Sequence, residues 1–296
     1  MILAPMEDVS DPPFRKLCKQ HGADLMFTEF ISSEGLIRDA VKSKQKLDIF
    51  EYERPIGIQI FGGDIESMKQ ATEIATQANP DIIDINFGCP VKKVVCKGAG
   101  AGILKDIPKM VKLTEEIVKS TRLPVTVKTR LGWDDSSKHI VEVAERLQDV
   151  GIQAISIHGR TRVQMYKGSA DWTLIGEVKN NPRMHIPVFG NGDVDSPQKA
   201  LEMRQKYGVD GIMIGRAAIG YPWIFNEIKR LSIQPSPVCL NNFPFLAAWL
   251  ASSSRLPNSS IMRVPKIDLL CVIPPFHLGS LVTFLGTAVF RASSGV

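Results

Sequence analysis

One cysteine stands where an α/β enzyme would place a catalytic group. Cys89 lies in the segment Asn86-Phe87-Gly88-Cys89-Pro90, after the largely apolar run of residues 81–85 and before a glycine-rich basic loop. Cysteine is often a buried structural residue. A thiol between Gly and Pro at a strand end, however, is held at the mouth of a sheet or barrel, where loops can cover it. We therefore predict that Cys89 is catalytic.

The composition places few limits on function. The chain has 296 residues, of which 44% are hydrophobic and 23% charged, as in a globular protein with a large core. The net charge of +5 indicates weak attraction to an anionic partner, although a lysine-rich solvated surface produces the same value. We predict one large domain, or one domain with an appendage.

The cysteines and the start of the chain predict a cytoplasmic protein. There is an odd number of cysteines without close pairing, and Met1 is followed at once by a core strand rather than a signal peptide. Cys89 and Cys96 have no neighbouring Cys or His cluster, so we predict no metal site. The five cysteines are Cys18, Cys89, Cys96, Cys239 and Cys271.

Short apolar β-branched segments alternate with amphipathic helical segments up to residue 215. The predicted strands are 2–6, 25–30, 56–61, 82–87, 125–130, 154–158, 188–190 and 211–215, and the predicted helices are 11–21, 64–78, 108–120, 136–150, 172–180 and 197–207. Continuous apolar strands joined by helices indicate a parallel sheet that is covered on both faces. Eight repeats in this length favour an α/β fold of the (β/α)8 TIM-barrel type over an open sheet.

Polar residues and glycines cluster at the carboxyl ends of these strands, which is the face that carries the active site in barrel enzymes. One polar residue at a strand end usually caps a loop, but all eight ends contribute here. The candidates are Pro5 and Met6, Glu29, Gln59, Asn86 and Cys89, Lys128 and Arg130, His158 and Arg160, Asn191, Gly192 and Asp193, and Gly215 and Arg216.

The last two strand ends predict an anion site. Barrels often bind phosphate with the loops after strands seven and eight, which here carry Asn191-Gly192-Asp193 and Gly215-Arg216. An arginine such as Arg216 can bind phosphate through two parallel hydrogen bonds. These residues make a phosphorylated ligand plausible, as in many barrel enzymes.

Six motifs, in this order, resemble those of the tRNA-dihydrouridine synthases. The resemblance runs from Ile2 to about Lys229 and implies an FMN-dependent enzyme that reduces the 5,6 double bond of uridine in tRNA with NADPH. The most diagnostic part is Cys-Pro-x-Lys-Lys together with Tyr166-Lys167-Gly168. The motifs are Ala4-Pro5-Met6, residues 86–93, residues 128–133, residues 158–162, Asn191-Gly192-Asp193 and Gly215-Arg216.

This resemblance implies a flavin site. The backbone of Pro5, Met6 and Glu7 would pass over the flavin ring, and Gln59 and Lys128 would bind its polar edge. A cation there stabilises the anionic reduced flavin. The remaining contacts implied for the ring or the phosphate come from His158, Asn191, Gly192, Asp193, Gly215 and Arg216.

The resemblance also implies how Cys89 acts. Hydride from flavin N5 would reach uracil C6, and C5 would then need a proton, which Cys89 would donate. A thiol with a pKa of about 8.5 carries that proton at neutral pH. Asn86 would bind the uracil edge, and residues 98–102 would form a lid. The side chains implied to contact tRNA phosphates are Lys92, Lys93, Arg130, Arg160 and Arg162.

The chain departs from the family after residue 230. Residues 231–296 contain five charged side chains against seven prolines and ten serines. This composition predicts a poorly ordered tail in place of the family's basic helical tRNA-binding domain, and it is typical of a shifted reading frame. Residues 269–290 are apolar, but Pro274-Pro275 argues against a transmembrane helix. We therefore expect a barrel at 1–230 and an atypical tail at 231–296.

Two alternatives stay open. The first is another FMN barrel oxidoreductase that acts on a small pyrimidine. The second is a non-catalytic protein, either one that binds RNA or a degenerate member of the family whose altered C-terminus abolishes activity.

Overall fold

Nine parallel strands form one curved sheet in the computed structural model, which describes residues 1–233. Each strand pairs in parallel with its neighbours, and helices connect successive strands except the second and third, which a short loop joins. The strands are β1 (Ile2–Leu3), β2 (Met26–Phe27), β3 (Ile31–Ser32), β4 (Ile56–Phe61), β5 (Ile82–Asn86), β6 (Val125–Arg130), β7 (Ala154–His158), β8 (Val188–Asn191) and β9 (Gly211–Ile214).

The sheet closes into a barrel, which confirms the predicted (β/α)8 fold. The strand order is β1-β9-β8-β7-β6-β5-β4-β2, and a bridge between Ile2 and Leu25 joins the two ends. Strands β2 and β3 both pair with β4, so they are two pieces of the second barrel strand. The predicted continuous strand over 25–30 is therefore wrong. Its ladder breaks where the Thr28 hydroxyl, instead of a backbone carbonyl, accepts the Gln59 N–H.

Six helices match the predicted segments closely, and four more, over residues 33–37, 41–45, 92–95 and 224–233, were not predicted. Asp11, Asp64, Asp106 and Ser196 each cap a helix by accepting a backbone N–H three residues ahead. The helices are α1 (Pro12–Gln20), α2 (Ser33–Ile37), α3 (Val41–Gln45), α4 (Ile65–Gln77), α5 (Lys92–Val95), α6 (Ile107–Ser120), α7 (Ile140–Asp149), α8 (Thr173–Asn180), α9 (Pro197–Tyr207) and α10 (Ile224–Ile233).

The last helix crosses the boundary that the sequence predicts at residue 230. The rest of the tail, including the apolar residues 269–290, lies outside the described residues, and its predicted disorder stays a prediction. Among residues 1–233, no helix is both long and apolar enough to span a bilayer.

Two apolar clusters flank the sheet. The main core lies between the strands and the helices, and it contains Ile58, Ile83, Ile85 and Val127. A smaller, separate cluster contains Ile2, Ala4, Phe27 and Met213, with Leu25, Ile82 and Phe189 packed against it. Because side chains alternate along a strand, the residues between those of the main core point into the barrel.

The strand register places polar side chains side by side within the barrel. Asp84 pairs with Gln59 on one side and with Thr126 on the other. Further toward the carboxyl ends, Asn86 is level with Lys128, and Arg130 is level with His158, which is level with Asn191. The predicted site residues on four neighbouring strands therefore converge inside the same end of the barrel.

Candidate active site

A cavity of about 690 Å³ opens at the carboxyl ends of the strands. Its volume is within the range of small-molecule and cofactor sites. The predicted site residues that line it are Pro5, Met6, Glu7, Asn86, Cys89, Lys128, Arg130, His158, Asn191, Gly192, Asp193, Gly215 and Arg216.

Six of the predicted residues do not line this cavity, and one of them, Glu29, accepts the Asp8 N–H. Gln59 is fully buried one level deeper in the barrel, and Arg160 is buried among backbone carbonyls of the loop that follows β7. Arg162 reaches back to the carbonyl oxygen of Pro90. Lys92 and Lys93 lie on α5, where both are exposed.

Hydrogen bonds hold Cys89 from both sides of its peptide. Its N–H donates to Asn86 Oδ1 at 2.9 Å, and its carbonyl accepts the Ala101 N–H at 3.0 Å. Gly100 has φ +53°, and a Cβ there would lie 2.9 Å from the Cys89 carbonyl oxygen. Since residues 99–104 are buried in a 3₁₀ turn against Cys89, the predicted lid over 98–102 is wrong. This segment packs against the backbone of Cys89.

The Cys89 side chain is 6% exposed and faces the cavity. Burial raises the pKa of the thiol, and this effect outweighs the Val91 N–H and the charge of Arg130, which lower it. The sulfur is therefore protonated at neutral pH, which suits a proton donor better than a nucleophile.

Arg130 braces the segment that carries Cys89. Its Nε donates to the Gly88 carbonyl at 2.7 Å, and its Nη1 donates to the carbonyls of Thr161 and Met165 at 3.1 and 2.9 Å. Within residues 1–233, its Nη2 has no hydrogen-bond acceptor, and the side chain lines the cavity. Arg130 thus joins two loops and keeps one donor group for a ligand.

Arg162 contributes a second brace on the other side of Cys89. Its Nη2 donates to the Pro90 carbonyl at 3.3 Å, and its guanidinium lies 4.7 Å from the centre of the Trp133 ring. The carbonyls on both sides of Cys89 are therefore held by arginines.

Lys128 presents an ammonium group to the cavity. Among the described residues its Nζ has one hydrogen bond, a long one of 3.4 Å to Asn191 Oδ1. Burial lowers the pKa of Lys128 to about 8, and Arg130 adds to this effect, while Asp84 and Cys89 oppose it. An ammonium group can donate three hydrogen bonds, so Lys128 can bind an acceptor in the cavity.

His158 is neutral in this setting. Burial lowers its pKa well below 6.5, and the charges of Lys128, Arg130, Arg160 and Arg216 lower it further. Its Nε2 lies 3.4 Å from Arg160 Nη1, which can only donate, so Nδ1 carries the ring proton. His158 can therefore donate a hydrogen bond through Nδ1.

Arginine and aspartate side chains meet at the far end of the cavity. The Arg160 Nη2 group pairs with Asp193 Oδ2 at 2.6 Å, while the largely exposed Arg216 lies 3.5 Å from Asp193 Oδ1. Gly192 between these loops has φ +126°, a conformation that favours glycine. Asp195 also lines this end, so two carboxylates balance the two guanidinium groups, and Arg216 is the exposed cation that an anion could reach.

Two residues near the cavity received no role from the sequence. Tyr166 lines the mouth and is 53% exposed, with its ring 5.1 Å from the Arg216 guanidinium and 5.7 Å from that of Arg130. Its place in a diagnostic motif already indicated importance. Asp84 is buried beneath the cavity, and only its spacing of two residues from Asn86 pointed inward.

The cavity suits a flat ring with an anionic tail. Ala4, Pro5 and Met6 supply an apolar wall, Lys128 supplies a donor with few partners, and Arg216 supplies charge at the far end. These features match the ring and the phosphate of a flavin mononucleotide. Within residues 1–233, His, Cys, Asp and Glu side chains form no group of three that could hold a metal ion.

Solved structures support the barrel. The histamine dehydrogenase of Rhizobium sp. 4-9 superposes on 78% of this chain and on 45% of its own, with a TM-score of 0.55. The two sequences are 14% identical, so this likeness concerns the fold alone.

Curated relatives are much more similar in sequence. The tRNA-dihydrouridine synthase B of Pseudomonas syringae pv. tomato is 43% identical over 99% of this chain and 85% of its own length. That of Pseudomonas putida is 43% identical over 97% of this chain and 77% of its own. That of Vibrio cholerae is 42% identical over 78% of this chain and 71% of its own.

A family profile gives the same assignment independently. The profile described as dihydrouridine synthase (Dus) matches residues 2–254, which include every residue that lines the cavity. The chain therefore belongs to the dihydrouridine synthase family and is a flavin-dependent oxidoreductase.

Proposed function

We propose that the chain reduces the 5,6 double bond of uridine in tRNA, with FMN as its flavin and NADPH as the electron donor. The observation that carries this proposal is the protonated thiol of Cys89 in the same cavity as Lys128 and the exposed Arg216. The name tRNA-dihydrouridine synthase B, given to relatives 42–43% identical, supports the same substrate.

The flavin would lie along the apolar wall of Pro5 and Met6. Lys128 would donate to the polar edge of the ring, and Glu7 would contribute backbone. The loops at Asn191–Asp193 and Gly215–Arg216 would bind the phosphate, with His158 donating through Nδ1. When bound, the reduced flavin would supply the hydride that reaches uracil C6.

Cys89 would complete the reduction by protonating C5 of the ring. Because burial raises its pKa, the thiol keeps its proton at neutral pH until C5 becomes basic. A well-placed general acid typically contributes about 10²–10⁴ in rate. The hydrogen bonds that the Cys89 backbone donates to Asn86 and accepts from Ala101 keep the thiol on the cavity wall, where the ring would lie.

The RNA would reach the cavity as a splayed nucleotide, because a stacked base cannot enter it. Asn86 and the unpaired Nη2 of Arg130 would bind the pyrimidine. Lys92 and Lys93, exposed on α5 just after Cys89, would contact phosphates. Arg160 would act instead by holding its loop, since its donors are engaged within the protein, and Arg162 would hold the Pro90 carbonyl.

The test is reduction of unmodified tRNA by the purified full chain. We expect the protein to show a flavin absorbance spectrum and to release FMN when it is denatured. It should also oxidise NADPH and form dihydrouridine in the tRNA. Free uridine should react far more slowly; equal rates on both would favour the alternative of a small-pyrimidine reductase. A protein without flavin would favour a degenerate family member.

The variant Cys89→Ala separates the two half-reactions. We expect it to keep FMN and NADPH oxidation while dihydrouridine formation falls by about 10²–10⁴. Cys96→Ala, which removes an exposed thiol seven residues away, is the matched control and should behave as the unmodified chain does. Dihydrouridine formation by Cys89→Ala at an undiminished rate would exclude Cys89 as the proton donor.

A further inference from the structure

A line of hydrogen bonds leads from a buried carboxylate to the backbone of Cys89. Asp84 Oδ2 accepts from Gln59 Nε2 at 2.6 Å, and Gln59 Oε1 accepts from Asn86 Nδ2 at 2.9 Å. Asn86 Oδ1 accepts the N–H groups of Gly88 and Cys89, both at 2.9 Å. The three side chains in this line are 0–6% exposed.

The two ends of the line determine how each amide is oriented. Backbone N–H groups can only donate, so the atom of Asn86 that faces them is its oxygen, and its NH₂ faces Gln59. Gln59 must then turn its oxygen to Asn86 and its NH₂ to Asp84. An ionised carboxylate only accepts, and Asp84 therefore matches the one orientation that satisfies every member.

Thr126 completes the environment of Asp84. Its hydroxyl donates to Asp84 Oδ1 at 2.5 Å from the neighbouring strand β6. Both carboxylate oxygens thus accept one short hydrogen bond each, and Lys128 lies close enough to favour the ionised form. A carboxyl group this deep in the barrel does not reach the cavity, so it acts only through its neighbours.

We propose that Asp84 is a positioning residue that, through Gln59 and Asn86, sets the donor and acceptor polarity of the site and holds the Cys89 segment in place. The oxygens of both amides are engaged, so Asn86, the one of the two that lines the cavity, has only an N–H left for a ligand. In terms of the proposed function, on which this step rests, Asn86 then selects carbonyl oxygens of the pyrimidine and rejects ring N–H groups.

Exchanging the two ends tests this polarity. In Asn86→Asp, the new carboxylate faces Gln59 Oε1, and both groups are acceptors. If the Gln59 amide turns over to donate to the new carboxylate, its oxygen faces Asp84, which is also an acceptor. Adding Asp84→Asn supplies an NH₂ group for that oxygen, and Thr126 can still donate to the new amide oxygen. The double variant Asp84→Asn/Asn86→Asp therefore restores a fully paired line of reversed polarity.

The readouts require neither tRNA nor hydride transfer, so their failure is distinct from failure of the proposed function. Alkylation of Cys89 by iodoacetamide is followed by peptide mapping of the full chain, with the exposed Cys96 as internal reference. An unpaired buried polar atom costs about 1–3 kcal/mol, so Asn86→Asp should speed alkylation of Cys89 about tenfold or more. The double variant should return to within about threefold of the unmodified rate.

Three results would overturn the proposal. One is a double variant whose Cys89 reacts as fast as in Asn86→Asp. Another is an unchanged rate in Asn86→Asp itself. The third concerns a Gln59→Met background, in which Asp84→Asn should no longer restore the slow alkylation rate of Asn86→Asp. If it restores that rate equally well there, charge repulsion between positions 84 and 86 explains the effect. If Asn86→Asp does not fold, solubility is the readout. A soluble double variant then supports the proposal, and an insoluble double variant contradicts it.

Discussion

Arg130 Nε donates a 2.7 Å hydrogen bond to the carbonyl oxygen of Gly88, the residue that precedes Cys89. The same guanidinium holds Thr161 and Met165 in the loop after β7. Burial lowers the pKa of Arg130 to about 10, which still leaves it charged at neutral pH. One buried cation therefore connects the Cys89 segment to the loop after β7.

Arg130→Lys should impair the reaction while keeping the charge. One ammonium nitrogen cannot reproduce a planar fork that reaches three carbonyls. Displacement of a reacting group by about 1 Å can cost about 10² in rate, and we expect a loss of that size in dihydrouridine formation. Flavin content, read from absorbance, should stay within about twofold. Arg146→Lys, a surface change on α7, is the control, and equal activity of the two variants would refute the role of the fork.

Lys128 predicts a pH dependence of flavin binding. Its pKa of about 8 means that the ammonium loses its charge as the pH rises through 8. The charged form binds an electron-rich ring edge better than the neutral amine. The apparent affinity of the flavin-free protein for FMN, measured by quenching of flavin fluorescence, should therefore be constant below about pH 7 and fall above about pH 8.

Lys128→Met provides the comparison for this titration. We expect weaker FMN binding at pH 7 and no further fall between pH 7 and 9. The groups that set the Lys128 pKa, namely Arg130, Asp84 and Cys89, remain in this variant. A fall of the same size in Lys128→Met would assign the pH dependence to another group.

Local sequence patterns predicted most strands and six of the helices, because outward strand residues such as Ile83 and Ile85 are apolar and several helices carry Asp or Ser caps. They also placed polar residues at strand ends. These local patterns could not predict how deep along the barrel axis a side chain lies. Gln59 lies one level deeper than Lys128, and that difference depends on the register between strands distant in sequence.

The orientation of the arginines was also beyond local pattern. Arg160 turns inward because its own loop folds back to place the carbonyls of Lys167 and Gly168 around it, and because Asp193 comes from a distant part of the chain. The glycine-rich segment near Gly100 has a composition typical of a mobile loop. Its burial depends on the hydrogen bond from Ala101 to Cys89 and on its close fit to the carbonyl of Cys89.

Lys92 and Lys93 should contribute to RNA binding and little to chemistry. The logarithm of the tRNA-binding constant falls linearly with the logarithm of the salt concentration. Removing one lysine–phosphate ion pair makes this slope shallower by somewhat less than one unit. We expect Lys92→Gln/Lys93→Gln to weaken tRNA binding at low salt and to flatten this slope by about 1–2, measured by filter binding. FMN content should not change.

A control for net charge is available on α6. Lys112→Gln/Lys119→Gln removes the same two charges from a helix surface, where they pair with Glu115 and Glu116. Surface pairs of this kind contribute little to stability. If this control flattens the salt dependence as much as the α5 variant does, general attraction rather than contact at the mouth accounts for the effect.

Asp84 predicts a change in stability with pH. Burial raises its pKa from 3.8 to about 6, although hydrogen bonds from Gln59 and Thr126 and the charge of Lys128 lower it. Between about pH 4 and 6 the folded chain therefore holds a proton that the unfolded chain has released. Folding stability attributable to this carboxyl is fully present below about pH 4 and decreases as the pH rises through 6, by about 3 kcal/mol in total.

Asp84→Asn removes this titration and keeps the shape of the side chain. The free energy of unfolding of Asp84→Asn minus that of the unmodified chain should therefore increase by up to about 3 kcal/mol between pH 4 and 7. Urea denaturation at several pH values measures both. Glu66→Gln, an exposed carboxylate in the first turn of α4, is the control and should show a much smaller change. A difference that is independent of pH would mean that Asp84 is ionised throughout, and that its neighbours compensate fully for its burial.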